Sequence, residues 1–257
     1  MSAQPNWTTL LQEAVSKPGL ILEAYTAFYG YSIGNQLLAL VQCYQRDIKP
    51  GPIATYPAWL EKGRQVKKGE KALTLCQPIS FKDKVDPEVR RLGFMFKPRW
   101  FVLAQTEGED MQPIQIPAWS KIDALFTLDI EQVAFELSDG NVQGYAKWRS
   151  IAINPLAQLP HKTLFHELAH VTLGHTAESE FTDADATPPN LREVEAEAVA
   201  LICCETLGLD GAEYARGYVQ NWNRSGEAIP EQSAQKIFRA ADVILRAGRP
   251  AEKGEGN

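Results

Sequence analysis

The sequence predicts an α+β chain in two parts, a small N-terminal α+β domain followed by a mainly helical domain with a short sheet. Three observations carry this. Helical hydrophobic periodicity recurs towards both ends, strand-like runs of β-branched and aromatic residues cluster between residues 71 and 106, and 257 residues exceed what one minimal core needs. Apolar residues make up 44% and charged residues 23%, the balance of an ordinary globular protein and not of a disordered or fibrous one.

Taken in order, NWTTLLQEAVSK is a short amphipathic helix that Asn6 or Thr8 is placed to cap and Pro18-Gly19 stops. A second helix fits YSIGNQLLALVQCYQR, where Ile33, Leu37, Leu40, Val41 and Tyr44 recur at helical spacing. Prolines and a glycine in IKPGPIATYPAW break that pattern, and a short helix starts near Trp59 and ends by Gly63. KALTLCQPISF and GFMFKPRWFVLAQT read as antiparallel strands joined by the polar loop KDKVDPEVRR. The acidic, proline-containing EGEDMQPIQIPAWS lacks periodicity, so the boundary is expected near Ile116 to Asp123. That gives a first domain over 1–120, a second over 121–250 and a disordered tail over 251–257.

In the second domain DIEQVAFELSDG is followed by GYAKWRSIAINP, expected as one strand of alternating character ended by Asn154-Pro155. LPHKTLFHELAHVTLGH is a long helix with Pro160 in its first turn, where a missing N–H costs nothing. The acidic linker AESEFTDADATPPN leads to a helix in LREVEAEAVALICCETLG, with Gly208 as its C-cap. Two further periodic segments, Ala212 to Trp222 and IPEQSAQKIFRAADVILRAG, complete the chain.

Composition narrows the function classes. The N-terminus has no basic stretch leading into an apolar run, and no segment approaches the ~20 apolar residues that span a bilayer, so a cytosolic protein without membrane contact, taken as a monomer, is expected. Cys43, Cys76, Cys203 and Cys204 form no CxxC pair and read as reduced, mostly buried thiols. The net charge of −6 argues against a polyanion partner, but it is unevenly spread. Tyr44 to Trp100 holds 13 Lys plus Arg against 6 Asp plus Glu, a net of +7, and the remainder is at −13. Such a split suggests different partners for the two parts.

His166-Glu167-Leu168-Ala169-His170 is an HExxH pattern inside a helix. Residues i and i+4 share a face, so His166 and His170 can reach one Zn2+ while Glu167 contacts a metal-bound water as the catalytic base of a peptidase. All four histidines lie between His161 and His175, and apolar neighbours such as Leu164, Phe165 and Leu168 would press this helix on a core. The spacing of His175 excludes a metzincin-like third histidine, so a carboxylate is sought in LREVEAEAVA. Glu193 and Glu197 share a face. Glu197, which opens the apolar run AVALICC, is expected as the third ligand, with Glu193 supporting a ligating imidazole and Glu195 solvated. His161 and His175 are expected in structural or substrate-facing roles. The strand GYAKWRSIAINP is either a core strand or an edge that binds a peptide by backbone addition. The second domain is thus expected to be zincin-like.

YSIGNQLLALVQ, Tyr56 to Trp59, GRQVKKGEKALTL and FVLAQTEG, in that order over Trp7 to Gly108, resemble the N-terminal domain of the ArdC-type antirestriction proteins of plasmids and mobile elements. The resemblance implies single-stranded-DNA binding and protection of incoming DNA. Tyr31, Asn35, Trp59, Arg64, Lys67, Lys68 and Lys71 are the candidate contacts, with Lys62, Tyr56, Trp100 and Phe101 nearby, because stacking faces and a basic turn suit a single strand. The second half resembles the metallopeptidase domain of the same proteins and, more distantly, the IrrE and ImmA regulatory peptidases, through HELAH followed by Ala196-Glu197 before AVALICC. Val199 stands where that group more often has Asn. Three readings stay open: a DNA-tethered zinc metallopeptidase acting on a protein or peptide, a DNA-coating protein with structural zinc, and a repressor-cleaving regulator.

Overall fold

The computed structural model describes residues 6–82, 90–136, 141–176 and 187–250. The expected tail over 251–257 and most of the acidic linker lie outside the described residues. The architecture is α+β. The chain divides into two compact units, one holding Glu23–Ile114 and the other Asn6–Leu22 with the chain from Gln115 onwards. The N-terminal helix is therefore grouped with the second unit.

In the first unit, α3 (Ile33–Gln45) packs on a three-stranded sheet of order β1-β4-β3, built from β1 (Ile53–Thr55), β3 (Leu73–Lys82) and β4 (Arg90–Val102). A short helix, α4 (Tyr56–Glu61), and the antiparallel pair β2 (Arg64–Val66) and β5 (Thr106–Gly108) complete it. Leu37, Leu40 and Cys43 of the helix are fully buried with Leu73, Leu75 and Val102 of the sheet. β3 is an edge strand, and two amide side chains of α3 satisfy it as a neighbouring strand would. Asn35 donates to the Cys76 carbonyl at 2.8 Å and accepts from its N–H at 2.9 Å, and Gln42 does the same for Thr74 at 2.9 Å in both directions. Seven residues apart on one helix face, they match alternate residues of a strand.

The second unit is arranged around α7 (Pro189–Leu207), in which every residue from Val194 to Thr206 is buried. A helix covered all round needs no polar face, which is why AVALICC reads as a continuous apolar run. Around it lie α6 (Pro160–Thr172), α8 (Ala212–Arg224) and α9 (Glu231–Ala247). α1 (Trp7–Ser16) begins at Asn6, whose side chain accepts from Thr9 N–H at 2.9 Å, and Glu231 accepts from the amides of Trp7 and Thr8, both at 3.0 Å. α2 (Leu20–Ala27), which the sequence reading did not foresee, follows Pro18-Gly19 directly, Gly19 taking a positive φ of 84°. α5 (Lys121–Leu128) leads into the second sheet.

That sheet corrects one expectation. GYAKWRSIAINP is not a single strand but a hairpin of β7 (Gly144–Lys147) and β8 (Ser150–Ile153). Trp148 at the turn has φ 55°, a conformation a bulky residue adopts at a cost and one that periodicity does not signal. With β6 (Glu131–Gln132) parallel to β8, the order is β6-β8-β7, so β7 lies at an edge.

Candidate metal centre

α6 and α7 bring the site together. Pro160 starts α6, and the apolar face of Leu164, Phe165 and Leu168 is buried, which turns His166 and His170 towards α7. Their Nε2 atoms lie 3.1 Å apart. Glu193, in the second turn of α7, places Oε2 3.5 Å from His166 Nε2 and Oε1 3.6 Å from His170 Nε2. One ligand atom from each of these three residues falls within 4.8 Å of the others. Ligands about 2.0–2.1 Å from a tetrahedral cation stand about 3.3–3.4 Å apart. The observed separations are those of a donor set that fits such a cation.

The geometry departs from the expected division between the two glutamates. Glu197, one turn further along α7, faces the other side of the ring: its Oε1 lies 3.3 Å from His166 Nδ1 and pairs with Lys162. It therefore sits behind His166, and Glu193 occupies the position between the two Nε2 atoms. Glu193 and not Glu197 is grouped with both imidazoles because these reach α7 at its exposed end. The Glu193 side chain is 50% exposed against 14% for each of the two imidazoles, so the cluster opens to solvent on the Glu193 side.

Electrostatics agree with a cation-binding role. Burial disfavours the charged form of His166, but Glu193 and Glu197 outweigh it and push the imidazole up to about 9. Burial lowers His170 to about 4, aided by His166, so this ring is the neutral form that ligates metals. Lys162 beside Glu197 and the raised imidazole of His166 balance the carboxylates of Glu193 and Glu197. Glu167 is 6% exposed, and burial pushes its carboxyl up to about 7 against the pull of His166. Gly144 of β7 makes room for it: a Cβ there would stand 3.0 Å from Glu167 Oε1 and 2.7 Å from Thr163 Cγ2.

Sequence reasoning missed Lys162 and took Glu195 for a solvated residue. Lys162 precedes His166 by one helical turn, a spacing that would have placed it on the same face. Glu195 is 2% exposed instead of solvated, and its carboxylate meets His175 at 2.9 Å. His161 is exposed.

In the first unit the expected DNA contacts separate into two groups. Trp59 is 1% exposed and donates its indole N–H to the Phe101 carbonyl, so it offers no stacking face. Arg64 is buried, its guanidinium donating to Thr106 Oγ1 and to the carbonyls of Thr106 and Glu109. Asn35 is engaged by β3, and the Tyr31 hydroxyl donates to the Ile53 carbonyl. Asn35, Trp59 and Arg64 thus each make hydrogen bonds within the first unit. Lys67, Lys68 and Lys71 remain exposed around Gly69, which takes φ 93°.

Residues 4–126 match the family described as the N-terminal domain of anti-restriction factor ArdC. No curated protein matches the chain. The crystal structure of the Mn(II)-bound antirestriction ArdC protein from plasmid R388 is similar over 97% of this chain and 100% of its own, at 18% identity and a TM-score of 0.56. The metal-free structure of that protein is similar over 94% of each chain, at 22% identity and a TM-score of 0.52. At these identities the likeness is one of fold.

Proposed function

We propose, starting from a chain that is of the ArdC antirestriction type in its N-terminal domain, that it is a single-stranded-DNA-binding metallopeptidase acting on a protein substrate. The observation that carries the proposal is the convergence of His166, His170 and Glu193 beside the buried carboxyl of Glu167. A similar fold has been crystallised with Mn(II), which supports a divalent cation at this cluster and leaves Zn2+ as the choice favoured by a two-histidine, one-carboxylate set.

When bound, the cation would polarise a peptide carbonyl and acidify a water. His166 Nε2, His170 Nε2 and a Glu193 carboxylate oxygen would hold it, and Glu197, with Oε1 3.3 Å from His166 Nδ1, would back that ring. Glu167, with its carboxyl near neutrality, takes the proton of the attacking water and returns it to the leaving amine. The edge strand β7, with Gly144 against Glu167, offers backbone groups to an extended peptide beside that base. The open Glu193 side fits a catalytic site better than a closed structural one. The exposed lysines around Gly69 supply positive charge for a DNA strand.

The test uses full-length protein, Zn(II) or Mn(II), and an unfolded protein mixture as substrate. Cleavage that requires the cation and disappears in Glu167→Gln supports the reading. Cation binding without cleavage under any condition, with DNA protection intact in Glu167→Gln, supports a structural cation in a DNA-coating protein instead.

A further inference from the structure

His175 belongs to no part of the triad, yet the fold carries its ring back to it. α6 ends at Thr172, Gly174 turns the chain at φ 79°, and the His175 amide donates to the His170 carbonyl at 2.9 Å. The ring, 4% exposed, lies with Nδ1 3.0 Å from His170 Nδ1 and Nε2 2.9 Å from Oε2 of Glu195. Glu195 is itself held by Ser233 and faced by Lys236, both of α9.

Proton accounting along this line leaves one arrangement of neutral rings. A carboxylate only accepts, so His175 donates its Nε2–H to Glu195. Its Nδ1 is then a lone pair, and the nitrogen facing it at 3.0 Å, His170 Nδ1, must carry the proton. A neutral His170 protonated at Nδ1 has its Nε2 free, and Nε2 is the atom that points into the cluster with His166 and Glu193. The reverse tautomer of His175 would set its bare Nε2 lone pair against the Glu195 carboxylate, two acceptors 2.9 Å apart with no proton between them.

We infer that His175 and Glu195 are positioning residues that fix the tautomer and orientation of His170, so that its Nε2 is presented unprotonated to a divalent cation. The inference rests on the reading of His166, His170 and Glu193 as cation ligands, and it concerns residues outside that set. It gives each ligating histidine its own buried carboxylate: Glu197 directly behind His166, and Glu195 behind His170 through an intervening imidazole.

The test begins with the metal-free, full-length protein labelled with 15N at histidine. Long-range proton–nitrogen correlation, with the exposed His161→Gln variant to simplify assignment, reports which nitrogen of each ring is protonated. His170 is expected with its proton on Nδ1 and His175 with its proton on Nε2. His170 protonated on Nε2, or rapidly exchanging between tautomers, overturns the inference. Calorimetric titration with Zn(II) gives the second readout. His175→Phe preserves ring volume and is expected to weaken binding about 10–100-fold, with partial recovery in His175→Gln, whose amide can accept from His170 and donate to Glu195. Unchanged affinity in folded His175→Phe protein overturns it as well. Should the parent protein bind no divalent cation, the ligand reading fails, while the tautomers of the metal-free protein still decide the relay.

Discussion

Glu167, Glu193 and Glu197 lie within 31 residues of one another; Glu193 faces Nε2 of both imidazoles, Glu197 faces Nδ1 of His166, and Glu167 is buried. Replacing Glu167 by Gln keeps shape and hydrogen-bonding capacity but removes the base. Hydrolysis is expected to fall at least about 100-fold with cation affinity nearly unchanged, measured by peptide turnover beside calorimetry. Glu193→Gln and Glu197→Gln distinguish the two sides of His166. Glu193→Gln removes a donor between both Nε2 atoms and is expected to cost more cation affinity than Glu197→Gln, which withdraws support from Nδ1 alone; the opposite order would restore the original expectation for Glu197. HExxH could be read from spacing because i and i+4 coincide on any α-helix. Which glutamate faces which nitrogen could not, because Glu193 and Glu197 share a face and only the packing of α6 against α7 decides how far along α7 the imidazoles arrive. The burial of Trp59 and Arg64 was not legible for a related cause: an aromatic ring and a guanidinium look alike in sequence whether their polar atoms meet solvent or the carbonyls of Phe101 and Glu109.

At the scale of elements, long periodic helices were legible with their ends. Asn6 caps α1 and Gly208 closes α7 in the left-handed conformation at φ 63°. The hairpin of β7 and β8 was not legible, since its turn depends on a strained Trp148 and carries no Asn-Gly signal. α1 offers two checks. Asn6→Ala is expected to cost about 1 kcal/mol in denaturant unfolding through the lost bond to Thr9 N–H. Burial pushes the Glu231 carboxyl up, but the Thr8 and Trp7 amides outweigh it and hold the group below its usual range. A depressed folded value stabilises above the unfolded value of about 4.3 and is lost as pH falls through the folded one. The stability difference between the parent protein and Glu231→Gln should therefore be full at neutral pH and shrink under acid; a difference independent of pH contradicts this.

At the scale of the whole molecule, the uneven charge seen in the sequence now has an address. The exposed lysines around Gly69, Lys67, Lys68 and Lys71, are expected to weaken single-stranded-DNA binding and flatten its salt dependence when reversed to Glu, while leaving peptide hydrolysis as it was. A buried ion pair holds the second unit: Arg216 meets Glu205 and donates to the carbonyls of Ala14 and Val15, and Glu205 accepts from the Ile21 amide. Removing the guanidinium strands a buried carboxylate, so Arg216→Met is expected to destabilise by about 3–5 kcal/mol in chemical unfolding. The central claim is that one divalent cation sits among His166, His170 and Glu193, and anomalous diffraction from crystals grown with Mn(II) tests it most directly. The account expects a single strong peak at bonding distance from both Nε2 atoms and a Glu193 oxygen. A peak coordinated by Glu197 in place of Glu193, or lying away from these imidazoles, would contradict it.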